Sequence, residues 1–172
     1  MQKRFSALVM ASALTVLSAS NVYAASECKG ESLTPDSQFT LMEDQVLDKK
    51  TELVWKRCAE GMSWNDGACA GEAAQLTYEE AIARYDEDGS GWRLPDSDEL
   101  MGLRAGRAYA SGCIHPALNT TAFPGEEQVG GYWSSTPSYM SGAATSVDFR
   151  NGAPSDGTQR SKPLRIRLVK NQ

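Results

Sequence analysis

The sequence has few of the residues and motifs on which enzyme sites are built. It contains one histidine, His115, in a segment that reads as a loop, and it has no Gly-x-Ser-x-Gly elbow, phosphate-binding loop or His-Glu-x-x-His motif. A catalytic site built on this histidine has no second motif to support it. We therefore expect no catalytic residue and no cofactor, and an enzyme of the cell envelope is the weakest of the functional hypotheses.

Long apolar runs are also lacking, apart from one short run near the N-terminus. Lys3 and Arg4 precede the largely apolar residues 5–19, and Val22-Tyr23-Ala24 places small residues at a cleavage position. This order is typical of a secretory signal peptide over residues 1–24, and the run is short for a membrane span. Residues 25–172 are then expected to form one exported domain, periplasmic or extracellular, without stable membrane insertion.

The chain has no excess of positive charge. It contains 17 Lys and Arg against 22 Asp and Glu, and loss of Lys3 and Arg4 with the signal peptide would change the net charge from −5 to −7. An acidic domain is poorly suited to nucleic acid or to an anionic membrane surface. We therefore expect neither as a partner.

The four cysteines lack the short spacing of a zinc site. An even number of cysteines in an exported chain predicts two disulfides, with three possible pairings. We favour Cys58–Cys69, because Asn65-Asp66-Gly67 makes the intervening loop rich in turn residues, and Cys28–Cys113 then remains as the second bridge. Cysteines held in disulfides are not available as nucleophiles.

Helix and strand signals predict an α+β domain with two main helices and a closing antiparallel sheet. Thr77 with Glu80 forms a capping box that starts a helix to about Asp86. Asp96 or Ser97 caps a second helix that ends near Gly106, and Glu99 lies three residues after Asp96. Alternating or apolar runs predict the strands, which are Phe39–Met42, 45–47, 53–55, 132–135, 144–150 and 164–169.

The segment 164–169 also suggests a binding surface. Its alternation turns Arg165 and Arg167 to one face, and a neighbouring strand adds Arg150, which makes an anion-binding strip for a carboxylated or sulfated glycan. Tyr132 and Trp133 are the candidate stacking partners for a sugar. In the alternative interpretation, the two aromatic residues belong to the core, and nearby acids neutralise the arginines as cross-strand pairs.

One acidic loop resembles a calcium site in its spacing. Asp86 and Asp88 place oxygen ligands at alternate positions, as calcium loops do. The twelfth position of an EF-hand loop, however, would fall on Ser97 rather than on a glutamate. These two residues are weak candidates, and we expect no metal.

Five short motifs, taken in their order along the chain, resemble those of the Lcl C-terminal domain family, which is named after the C-terminal domain of the Legionella collagen-like adhesin. The motifs are Asp48-x4-Leu53-Val54-Trp55, Cys58-x2-Gly61-x2-Trp64-x4-Cys69-x-Gly71, Trp92-Arg93-Leu94-Pro95-x3-Glu99-Leu100, Tyr132-Trp133-Ser134-Ser135-Thr136 and Arg167-Leu168-Val169-Lys170.

The resemblance covers about residues 39–170 and implies a C-type-lectin-like fold in an exported bacterial protein. It also implies adhesin-like binding, since the best-known member binds sulfated glycosaminoglycans and assembles as a trimer. This chain lacks a Gly-x-y repeat and is net acidic, so the resemblance supports the fold better than the ligand. The leading hypothesis is a domain that binds a glycan or a protein partner. The alternative is a structural or assembly subunit of a secreted or pilus-like complex, and homo-oligomerisation stays open.

Overall fold

The computed structural model describes residues 32–85, 89–106, 117–125 and 130–172. Within these ranges, no helix has both the length and the apolar character needed to cross a membrane. Several predictions fall outside them, namely the signal peptide over 1–24, the Cys28–Cys113 bridge, His115, and the calcium-like pair Asp86 and Asp88.

Short antiparallel strands and two short helices make up the described part of the domain. In chain order they are β1 (Phe39–Met42), β2 (Gln45–Asp48), β3 (Leu53–Lys56), β4 (Ser63–Asn65), β5 (Ala68–Ala70), α1 (Tyr78–Tyr85), α2 (Ser97–Gly102), β6 (Gly131–Pro137), β7 (Ala143–Asp148), β8 (Ala153–Gln159) and β9 (Val169–Asn171). The predicted α+β class, with two helices and antiparallel sheets, is confirmed, and sheets dominate it.

The first sheet has the strand order β1-β2-β3-β9. Its centre is apolar because Val46 on β2 and Trp55 on β3 are paired across the ladder and are both buried. Trp55 also faces Val169 of β9, which is buried as well. The sheet therefore joins the N-terminal hairpins to the far end of the chain.

The β4–β5 hairpin is the segment that the turn residues predicted. Asn65 pairs with Ala68, and the two residues between them, Asp66 and Gly67, have φ of 45° and 94°. Positive φ at both positions is the geometry of a two-residue hairpin turn whose twist matches its strands. Cys69 on β5 is bonded to Cys58, with 5.5 Å between their Cα atoms, which confirms the favoured pairing and ties the hairpin to the end of β3.

Both predicted helix caps are present, and of the two candidates for the second helix the structure has Asp96 rather than Ser97 as the N-cap. The backbone N–H of Thr77 donates to Glu80 Oε2 at 2.8 Å at the start of α1, and the Asp96 and Glu99 side chains satisfy each other's backbone N–H groups at α2. The expected end of α2 near Gly106 is wrong, since the helix stops at Gly102 and the chain turns away to pair Arg104 with Leu118.

The third sheet has the order β6-β7-β8, and β8 was not predicted. Its sequence is polar and contains Pro154 and Gly157, both poor strand formers. These two residues are tolerated because β8 is an edge strand whose residues are mostly exposed. The tip of the β6–β7 hairpin carries Tyr139, which is 87% exposed, and Met140.

The predicted strand over 164–169 is wrong. Only Val169 belongs to a regular strand, and the residues before it make isolated bridges, from Leu164 to Leu76 and from Arg165 to Tyr132. Ile166 and its apolar neighbours pack into a cluster with α1 and β6, whereas Val169 packs into the larger core cluster. Of the two arginines that the alternation places on one face, Arg167 is buried and Arg165 is half-buried, so the segment lacks the regular solvent-exposed face that the alternation requires.

Candidate functional site

The predicted binding strip does not form as an exposed surface. Tyr132 and Trp133 are both 0% exposed. The Tyr132 ring packs edge-on against Phe149, and the Trp133 Nε1 donates to the carbonyl of Leu76 at 2.8 Å. The prediction that these two rings stack on a sugar is therefore wrong, because both are fully buried core residues.

Arg167 is also placed wrongly by the alternation, since it is 0% exposed. One terminal nitrogen of its guanidinium donates to the carbonyls of Lys56 and Arg57, both at 2.8 Å. The guanidinium carbon lies 4.6 Å from the centre of the Phe123 ring and 5.5 Å from that of Tyr132. Backbone carbonyls and ring faces replace the water that a buried guanidinium loses. Arg167 is thus a structural residue that holds the end of β3.

Arg150 is exposed but belongs to an ion pair. Its Nε lies 3.0 Å from Asp148 Oδ2. Burial alone would raise the pKa of Asp148, but the hydrogen bonds from Arg150 bring the pKa below its ordinary value. The alternative interpretation, in which acids neutralise the arginines, thus applies to Arg150. Its partner Asp148, however, lies two residues earlier in the chain and not on a neighbouring strand. Whether Arg150 contacts a ligand stays a prediction.

Arg165 is half-buried and lines a polar cleft of about 420 Å³. The three predicted arginines therefore occupy three different environments: an exposed ion pair, a cleft wall and the core. Their common surface was the physical basis of the strip, and the structure does not provide one.

A different aromatic residue is available at the surface. Trp64 on β4 is half-buried, and the guanidinium carbon of Arg57 lies 4.1 Å from the centre of its ring. This distance is that of a cation–π stack. One face of the indole is thus covered, and the ring is held in place by a charged group rather than by apolar packing alone.

Arg57 is itself fixed by the protein, with only 8% of its surface exposed. Its three nitrogens donate to three backbone carbonyls, those of Ala122 at 3.0 Å, Glu43 at 2.8 Å and Thr121 at 2.9 Å. Burial lowers the pKa of Arg57, but a guanidinium stays protonated at neutral pH. The platform under Trp64 is therefore rigid and cationic.

Beside Trp64 lies a cleft of about 220 Å³, which we name the Trp64 cleft. The Lys56 Nζ lies 3.7 Å from Glu60 Oε2 within it. An aromatic ring, two carboxylates and one ammonium converge here on a small volume. The side chains that line the cleft are Asp44, Lys56, Cys58, Ala59, Glu60, Met62 and Trp64.

Comparison of the sequence with models of known protein families identifies the family of this chain. A model of the Lcl C-terminal domain matches residues 44–170. This chain belongs to the Lcl C-terminal domain family. No curated protein and no solved structure matches the chain. The match begins between β1 and β2 and ends within β9, so the Lcl C-terminal domain includes every residue that lines the Trp64 cleft.

A second half-buried tryptophan of this Lcl C-terminal domain lies on the other side of Lys56. The Lys170 Nζ is 4.5 Å from the centre of the Trp92 ring, and the Lys56 Nζ is 5.4 Å from it. Two ammonium groups thus share one indole, and Lys56 belongs both to this cluster and to the Trp64 cleft. Positive charge is concentrated here, in a domain that is acidic as a whole.

Sequence reasoning missed the Trp64 site because Asn65-Asp66-Gly67, which follows this residue, predicted a tight turn and no ligand. The signal that identifies it is long-range, since Arg57 must contact carbonyls far along the chain before it can hold the ring. Within the described ranges, no group of three or more His, Cys, Asp or Glu side chains is placed to hold a metal.

Proposed function

We propose that this Lcl C-terminal domain is an exported, adhesin-like domain that binds a glycan in the Trp64 cleft. The observation that carries the proposal is the half-buried Trp64 ring, held from one side by the buried Arg57 guanidinium and bordered by a polar cleft. The family, whose name refers to an adhesin, supports the binding role.

The chemistry of the cleft suits a sugar ring. The C–H groups of a pyranose pack on an indole face, and its hydroxyl groups pair with carboxylates and ammonium groups. Asp44 and Glu60 supply hydrogen-bond acceptors for these hydroxyl groups, and Lys56 supplies donors. Because Arg57 already fixes the ring, little conformational entropy is lost when a ligand binds.

Two observations support export. The N-terminal pattern is that of a signal peptide, and the Cys58–Cys69 bridge is typical of an oxidising compartment. The C-type-lectin-like fold that the family resemblance implies is part of the same proposal, since that fold is widely used for surface recognition.

The experiment is a glycan array with the processed domain, followed by titration of each binding saccharide. We expect Trp64→Ala to weaken binding at least ten-fold, because the stacking surface is removed. Tyr139→Ala is the matched control, since Tyr139 is an exposed aromatic residue that does not line the cleft. It should bind as the parent does. Equal binding by the parent and Trp64→Ala, or no binding of any saccharide, would refute the proposal.

The array also tests the original arginine hypothesis. If Arg150→Ala weakens binding and Trp64→Ala does not, the ligand lies at the Asp148–Arg150 end of the third sheet rather than in the Trp64 cleft. We expect the reverse, because Arg150 is already engaged by Asp148.

A second candidate, an assembly subunit of a secreted or pilus-like complex, is favoured by one observation. Tyr139 and Met140 form an exposed apolar tip, with exposed fractions of 87% and 45%. Exposed apolar residues at a hairpin tip are suited to a protein partner. Co-purification of a partner from the native envelope that is lost in Tyr139→Ala and kept in Trp64→Ala would support this function.

A further inference from the structure

We infer that the binding site extends past Trp64 into a second cleft, and that the ligand is an uncharged oligosaccharide of at least two sugar units. The inference rests on the proposed function and adds the length and charge of the ligand. The second cleft is the one that Arg165 lines, and we name it the Arg165 cleft.

The two clefts share a wall. Met62 lines both, on one side with Trp64 and on the other with Arg165. A Cβ atom placed on Gly125 would lie 3.8 Å from the Met62 Cε and 3.4 Å from the Cβ of Cys69, so the Arg165 cleft runs directly beside the disulfide hairpin. A ligand that fills the Trp64 cleft and continues over Met62 enters the second cleft.

The Arg165 cleft is the larger of the two, at about 420 Å³ against about 220 Å³. Its polar side chains are Glu72, Gln75 and Arg165, a carboxylate, an amide and a guanidinium. Each is planar and carries paired donors or acceptors, which match the spacing of adjacent hydroxyl groups on a sugar. The combination favours a polyhydroxylated ligand over an apolar one.

The charge of the combined groove argues against a polyanion. Three carboxylates, those of Asp44, Glu60 and Glu72, and two cations, Lys56 and Arg165, line it. The Arg57 guanidinium stacked on Trp64 adds a third cation, so the charges of the groove balance. Lys56 is in addition 3.7 Å from Glu60. A sulfated or uronate-rich chain would therefore gain no net electrostatic attraction along this path, whereas an uncharged saccharide meets both donors and acceptors.

The test is isothermal titration calorimetry with glucose and N-acetylglucosamine oligomers of one to four units, and with a heparin tetrasaccharide as the anionic probe. We expect affinity for one uncharged series to rise at least ten-fold from one unit to two, and to change less than two-fold between 50 and 500 mM NaCl. In the double variant Glu72→Ala/Gln75→Ala, the gain from the second unit should disappear while monosaccharide affinity stays unchanged. Glu79→Ala, an exposed glutamate that lines neither cleft, is the control.

The outcomes separate the two proposals. A monosaccharide bound through Trp64 with no gain from a second unit overturns the extension and leaves the proposed function in place. Tighter binding of the heparin probe with a steep salt dependence overturns the uncharged ligand. Failure of every saccharide to bind, in the array and in the titrations, overturns both. Because Glu72 and Gln75 are exposed, their variants are expected to fold, and circular dichroism checks this.

Discussion

Replacement of Arg167 tests whether this arginine belongs to the core or to a ligand-binding surface. In Arg167→Ala, the carbonyls of Lys56 and Arg57 each lose a hydrogen bond to a charged donor. Such bonds contribute about 1.5–3 kcal/mol each. The variant also avoids the cost of burying a guanidinium, which offsets part of the loss. We expect a net decrease of about 3 kcal/mol in the free energy of unfolding.

The assay is urea unfolding followed by tryptophan fluorescence, with the midpoint and slope fitted together. Arg150→Ala is the matched control, because it removes an arginine whose side chain is exposed and ion-paired to Asp148. Exposed ion pairs contribute at most about 1 kcal/mol. Arg167→Met restores much of the lost volume without donors, and we expect it to remain close to Arg167→Ala.

Two results would refute the reasoning. If Arg167→Ala and Arg150→Ala lose the same free energy, the buried hydrogen bonds contribute nothing measurable. If Arg167→Met recovers the stability of the parent, then side-chain volume, and not the pairing of the Lys56 and Arg57 carbonyls, is what matters at this position.

Three further predictions concern the hairpin and the second helix. Cys58→Ser should lower the free energy of unfolding by about 2–3 kcal/mol in non-reducing urea titrations, and the parent in reductant should match it. Burial would raise the pKa of Glu99, but hydrogen bonding to Arg93 lowers it overall. Its stabilising contribution is therefore complete above about pH 4.3, the ordinary pKa of a glutamate, and is lost as pH falls through the folded pKa. On acidification through this pH range, Glu99→Gln should lose less stability than the parent in the same titration. Gly61→Ala should lower the free energy of unfolding by more than about 2 kcal/mol, because the added Cβ would lie 2.6 Å from the backbone nitrogen of Ala74. Gly67→Ala is the control: this glycine has a similar φ but no atom within 4 Å of the added Cβ, so the loss in the same titration should be smaller.

Local features of the fold could be predicted from the sequence because the interactions that produce them span a few residues. The capping boxes at Thr77 and Asp96 each satisfy backbone groups within one helical turn. The turn at Asp66-Gly67 depends on two residues that tolerate positive φ. The Cys58–Cys69 bridge closes over this same turn, so the pairing followed from local geometry as well.

The candidate site could not be predicted, because burial there is decided by distant parts of the chain. The alternation of apolar and basic residues around Arg167 predicts a strand with one solvent-exposed face, but Arg167 is buried between two apolar clusters. Tyr132 and Trp133 have the composition of a sugar platform and are buried for the same reason. Trp64, in contrast, is positioned by Arg57, whose carbonyl acceptors at Thr121 and Ala122 lie far along the chain.

The pairing of β3 with β9 has a consequence for biosynthesis. Leu53 aligns with Asn171 and Trp55 with Val169, so the first sheet needs residues that the ribosome adds long after its other three strands. Contacts between such distant positions form late in folding. A polypeptide that ends before residue 169 would leave β3 as an open edge, and we expect it to be more sensitive to protease than the full chain.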